Sequence, residues 1–155
     1  MSQIEVGKKV PDFTGQATSG IEFKLSDYKG SPVLLYFYPK DNTPGCTQEG
    51  KDFRDHYAEF EKKGIKIFGI SRDGIKAHEN FKAKYEFPFE LISDKDETIC
   101  KLFDVIKEKK MYGKTHMGIE RSTFLIDADG VLVREWRKVK VKEHIGEVLE
   151  AIGEL

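Results

Sequence analysis

The chain has 155 residues, 39% of them hydrophobic and 34% charged, with 26 Lys and Arg against 27 Asp and Glu for a formal net charge of -1. That size can bury a core without disulfides or a structural metal, and so even a balance of charge gathers neither phosphate backbones nor anionic lipid, which excludes nucleic acid and membrane surfaces as expected partners. Two cysteines, Cys46 and Cys100, are too few for a secreted disulfide scaffold, and neither the start MSQIEVGKKV nor the longest apolar run, Val33 to Tyr38, suits a signal peptide or a bilayer span, so a reducing cytoplasm is the expected location.

No repeat, low-complexity tract or linker divides the chain, and residues 1–155 read as a single α/β domain in which strand-like and helix-like segments alternate. After an amino-terminal extension over residues 1–30, Val33 to Tyr38 is a continuous β-branched and aromatic run closed by Pro39, the pattern of a central strand covered on both faces. Thr43-Pro44 reads as a helix start, with Thr at the N-cap and Pro at the first helical position. That helix is expected to continue through Phe53, Tyr57 and Phe60, spaced along one face, and to stop at Gly64. Ile65 to Ile70 is a second buried strand, and Ser71-Arg72-Asp73 leads into a helix whose expected inward positions are Ile75, Phe81 and Tyr85. Such a βαβα run gives parallel strands with helices packed on the sheet. Arg121 to Ile126 and Val131 to Trp136 flank Asp127-Ala128-Asp129-Gly130 as an antiparallel hairpin, which makes the sheet mixed. Ile145, Val148, Leu149 and Ile152 then mark a closing amphipathic helix. The pattern is that of a thioredoxin-like fold with an amino-terminal extension.

If Thr43 is the N-cap, Cys46 falls in the first helical turn. Unpaired backbone N–H groups and the positive end of the helix dipole surround a sulfur there, and both favour thiolate over thiol. Cys46 also occupies the place from which a capping-box side chain folds back on the cap, so the Thr43 hydroxyl is expected within hydrogen-bond reach of the sulfur. Gly45 and the polar Asp41-Asn42-Thr43 turn do not look like a hydrophobic core, and open α/β sheets bind their ligands at the carboxyl end of a buried strand. Cys46 therefore reads as a nucleophile.

The stretch Pro39-Lys40-Asp41-Asn42-Thr43-Pro44-Gly45-Cys46 resembles the PxxxTxxC active-site pattern of peroxiredoxins, most closely in the peroxiredoxin Q, or bacterioferritin comigratory protein, subfamily. VPDF at 10–13, SRD at 71–73, SD at 93–94 and YGKTHMGIERSTFLID at 112–127 extend the resemblance over nearly the whole chain. It implies a thioredoxin-like fold and a thiol-dependent peroxidase acting on hydrogen peroxide and alkyl hydroperoxides, with thioredoxin, glutaredoxin or glutathione as reductant and no cofactor. It also implies roles. Cys46 would attack the terminal peroxide oxygen and become a sulfenic acid, Thr43 would donate to the sulfur or the bound peroxide, and Pro39 would wall the site against solvent. Arg121 would present its cationic fork to the thiolate and the peroxide oxygens. The resemblance also leans towards a monomer.

The pattern breaks at the resolving cysteine. Many members of the subfamily carry one five residues after the peroxidatic cysteine, where this chain has Lys51, and others carry it in the stretch resembling Phe81 to Lys84, where none occurs. Cys100 lies three residues before Phe103, a spacing that fits a buried, inert position, which outweighs a resolving role. A cycle with one cysteine and an external thiol is therefore expected. His56, His78, His116 and His144 are scattered without metal-ligand spacing and read as surface or structural residues, so no metal is expected. The basic runs Lys107 to Lys110 and Arg137 to Lys142 read as solvated surface.

Overall fold

The computed structural model describes residues 3–155, with Met111 described by its backbone alone. Its main sheet has seven strands in the order β2-β1-β5-β4-β3-β8-β9. β3 (Val33–Phe37), β4 (Lys66–Ser71) and β5 (Glu90–Ser93) are parallel. β8 (Ser122–Ile126) runs antiparallel to β3 and pairs in turn with β9 (Leu132–Arg137) as the expected hairpin. The extension supplies β1 (Thr14–Ala17) and β2 (Glu22–Lys24), a hairpin that joins the sheet antiparallel to β5. β3 is central and every one of its residues is buried, as its unbroken apolar run requires.

Strand alternation sends β3 side chains to two cores. Leu34, Tyr36 and Tyr38 face a layer built by α1 (Pro44–Asp55), α2 (Tyr57–Lys62), α3 (Ile75–Tyr85) and α5 (Val141–Gly153), through Phe53, Phe60, Phe81, Val148 and Ile152. Val33, Leu35 and Phe37 face Phe13 and Phe23 of the extension and Ile99 and Cys100 of α4 (Thr98–Leu102). No helix among the described residues is long and apolar enough to cross a membrane.

Four details depart from the sequence pattern. The helix expected from Pro44 to Gly64 is broken at His56, whose φ and ψ of -109° and 13° are not helical. His56 Nδ1 lies 3.0 Å from the Asp52 carbonyl, so the imidazole shares the acceptor that the backbone ladder would use. In α3 the fully buried residues are His78 and Phe81, whereas Ile75 and Tyr85 are only half-buried. Lys107 to Lys110 belongs to a separate antiparallel ribbon, β6 (Ile106–Met111) with β7 (Lys114–Ile119), so His116 is an exposed strand residue. Arg137, read as solvated, is half-buried and donates to the Phe103 and Asp104 carbonyls at 2.9 and 2.8 Å.

Candidate active site

The chain leaves the carboxyl end of β3 at Tyr38 and Pro39 and turns into α1 through a loop held from beneath. Tyr38 Oη donates to Asp41 at 2.6 Å, and the Asp41 backbone N–H donates to Asp73 at 2.9 Å. Asn42 has a φ of 58°, a left-handed conformation that Asn tolerates, and its side-chain oxygen accepts from Tyr85 Oη at 3.1 Å. Thr43 is the N-cap and Pro44 the first helical residue, as the sequence indicates, and the Thr47 N–H closes the first turn on the Thr43 carbonyl at 2.8 Å. The Thr43 hydroxyl, however, donates to the Lys40 carbonyl at 2.8 Å and makes no cap hydrogen bond. Its proton is committed to the loop, which leaves the oxygen free to accept. Pro39 is half-buried at the start of the same loop.

Cys46 is 2% exposed, in the first turn of α1. Arg121 reaches it from the turn between β7 and β8, just ahead of the strand it was expected to begin, because β8 pairs directly with β3. Its Nη2 lies 3.4 Å from Cys46 Sγ and its Nη1 2.6 Å from Glu49 Oε1. A Cβ on Gly45 would stand 3.1 Å from Nη2, so the glycine leaves the guanidinium room at the helix end. Burial opposes the Arg121 charge, yet Glu49 and then Cys46 hold it more firmly protonated than a free guanidinium. Lys109 on β6 lies in the same field, its pKa lowered by burial and then by the charge of Arg121. Thus Cys46, Thr43 and Pro39 share one loop and helix start, and Arg121 joins them from the segment that leads into β8, the strand beside β3.

Sequence reasoning passed over Glu49. It is 1% exposed, and burial pushes its carboxyl up to about 7 against the opposing pull of Arg121. The signal was present: Cys46, Glu49, Gly50 and Phe53 are the buried residues of α1, and a carboxylate on that inward stripe needs a partner. Two histidines also proved to be buried. His144 bonds Thr123 Oγ1 at 2.7 Å, and burial followed by the charge of Arg121 lowers its pKa to about 4, which keeps the ring neutral. His78 sets Nδ1 2.6 Å from Asp41 and Nε2 2.9 Å from the Ile92 carbonyl. The possible ligand atoms of His78, Asp41 and Asp73 lie within 4.8 Å of one another, closer than the sequence spacing suggested, but hydrogen bonds already hold each of them.

Cys100 is fully buried in the other core, behind the sheet from Cys46. Its backbone N–H donates to Asp94 at 2.7 Å, and burial, then the Asp94 carboxylate, pushes its thiol well above the usual range.

Residues 6–135 match the model of the AhpC/TSA family. Peroxiredoxin Bcp of Bacillus subtilis is 50% identical over 152 residues, covering 98% of this chain and 97% of that one. Peroxiredoxin Bcp of Xanthomonas campestris is 54% identical over 149 residues, covering 96% and 93%. Among solved structures, peroxiredoxin Q of Xanthomonas campestris superposes with a TM-score of 0.89 at 50% identity, covering 97% and 96% of the two chains. A trapped intermediate/ligand complex of the Xanthomonas campestris bacterioferritin comigratory protein, solved to explain its alkyl peroxide reduction, gives 0.89 at 48% identity and covers 99% and 98%. With sequence and fold shared with these relatives over nearly its whole length, the chain belongs to the AhpC/TSA family, in its peroxiredoxin Q branch, and is a thiol-dependent peroxidase.

Proposed function

We propose that Cys46 is the peroxidatic nucleophile for hydrogen peroxide and alkyl hydroperoxides. The observation that carries this reading is the 3.4 Å contact between Arg121 Nη2 and Cys46 Sγ at the front of α1. The thiolate attacks the terminal peroxide oxygen, the S–O bond forms as the O–O bond breaks, and the departing alkoxide or hydroxide takes up a proton from the surrounding water. Arg121 stabilises the charge developing on the oxygens, Pro39 shields the sulfur from water, and Thr43, its own proton held by Lys40, accepts the peroxide O–H. The chain works as a single domain and a monomer, and two free buried thiols suit a reducing cytoplasm.

An external thiol closes the cycle. Cys46 and Cys100 belong to cores on opposite faces of the sheet, and the Cys100 thiol is held protonated by its surroundings, so it is poorly placed to resolve the sulfenic acid. Thioredoxin, glutaredoxin or glutathione attacks instead, releasing water and leaving a mixed disulfide that a second thiol reduces. Intact mass after one equivalent of peroxide, with no other thiol present, is expected to show the gain of oxygen on Cys46. Loss of two hydrogens with a Cys46 to Cys100 link would refute the one-cysteine cycle. Steady-state peroxide consumption with each reductant is expected to vanish in Cys46→Ser and persist in Cys100→Ser; equal rates for Cys46→Ser and wild type would remove the nucleophile.

A further inference from the structure

Arg121 does not serve Cys46 alone. One arm of its fork meets the sulfur and the other meets Glu49 Oε1, so a single cation stands between two groups that can each be an anion. Glu49 Oε2, on the far side of that carboxyl, is buried without a hydrogen-bond partner among the described residues. An ionised carboxylate would leave this oxygen bare in a low-dielectric core, and with a thiolate present the buried trio would carry a net negative charge. A proton on Glu49 lifts the net charge and puts a neutral hydroxyl in place of a bare anionic oxygen, which costs less to bury.

The neighbours of Glu49 supply no second cation in contact with it. Cys46 and Asp52 come from its own helix, the Asp52 charge disfavouring ionisation. From β3 the Tyr36 hydroxyl is buried, unpartnered and pushed up by burial and then by Glu49. The charge of Arg121 also reaches His144 of α5, kept neutral, and Lys109 of β6, which makes no ion pair among the described residues.

We propose that Glu49 is the proton-holding counterpart of Cys46, neutral while the sulfur is a thiolate and ionised once the sulfur is a sulfenic acid, so that Arg121 faces one anion in either state. The inference rests on the reading of Cys46 as the nucleophile. In the oxidative half, thiolate, hydroperoxide and carboxylic acid become sulfenic acid, alcohol and carboxylate. Sulfur loses two electrons to the peroxide, the peroxide hydrogen stays on the oxygen carried to sulfur, and the proton taken up by the leaving alkoxide is matched by the one Glu49 gives up. In the reductive half, sulfenic acid, two external thiols and the carboxylate return thiolate, disulfide, water and carboxylic acid. Glu49 touches Arg121 and not the peroxide, so it is a positioning residue that acts through charge.

Glu49→Gln tests this, since the amide still offers an oxygen to Arg121 and cannot ionise. Single-turnover oxidation by hydrogen peroxide is expected to slow in the wild type as pH rises through about 7, where the resting carboxyl ionises. Glu49→Gln, which cannot ionise, should lose that limb whatever its absolute rate; superimposable profiles would overturn the proposal. Infrared difference spectra of the wild type give a second reading that needs no variant to fold. Peroxide should abolish a protonated-carboxyl band, and an unchanged carboxyl region in a protein that does form sulfenic acid would overturn the Glu49 role while leaving Cys46 standing. Failure of the nucleophile itself would appear separately, as peroxide consumption undiminished in Cys46→Ser.

Discussion

Arg121 carries its N–H donors in one rigid plane, and the site uses that plane in two directions, towards Cys46 Sγ and Glu49 Oε1. A lysine at this position would keep the charge on a single ammonium that cannot meet both groups. Arg121→Lys is therefore expected to lower the rate constant for peroxide reduction by about 10²-fold, of the order found when one donor to a developing oxyanion is removed. Stopped-flow oxidation at a pH where the wild type is fastest checks this, and a near wild-type rate would mean that charge alone suffices. The motif residues of the site were legible because Pro39, Thr43 and Cys46 sit close together in the sequence and Arg121 lies in a recognisable segment. Glu49 was passed over although it stands on the inward stripe of α1, because its partner is 72 residues away and a glutamate in a helix normally reads as solvated.

At the scale of elements, α1 presses onto the loop between α3 and β5 through a residue with no side chain. A Cβ on Gly50 would lie 2.5 Å from Phe87 Cζ, and Phe87 is itself held between Phe81 and Phe89, with ring centroids 5.0 and 5.2 Å away. Gly50→Ala must move the helix or the ring, and denaturant unfolding is expected to show a loss of about 1–3 kcal/mol despite the better helix propensity of alanine. An unchanged or higher midpoint would show that the aromatic cluster yields. β3 and β4 were legible as largely apolar runs, β8 and β9 as partners across a Gly-ended turn, and α5 through the helical spacing of its apolar residues. β6 and β7 were not, since a two-stranded ribbon is held by backbone pairing and its lysine-rich, mostly polar sequence looks like loop. The break at His56 was hidden for a different reason: Phe53, Tyr57 and Phe60 keep helical spacing across it, and only the ring on the Asp52 carbonyl reveals the interruption.

For the whole molecule, two buried groups tilt stability with pH in opposite senses. His144 has its pKa lowered from 6.5 to about 4, so the unfolded chain binds more protons between those values and stability is lost as pH falls through them. Glu49 is raised from 4.5 to about 7, so the folded chain binds more protons there and stability is lost as pH rises. His144→Gln, which can still bond Thr123, removes the first effect. As pH falls from about 6.5 to about 4, unfolding free energies should shift in favour of this variant relative to wild type by up to about 3 kcal/mol. A difference independent of pH would refute this. The two cores themselves could be read from the alternation along β3, but which thiol lay on which side could not, because Cys46 and Cys100 sit on helices whose facing is set by the tertiary path. That partition makes Cys100 useful in a way unrelated to turnover. In a Cys46→Ser protein it is the lone thiol, fully screened from solvent, so a modifying reagent would be consumed only as fast as the layer over it lifts away. The chain thus carries its own gauge of native-state opening, to be read without attaching a dye.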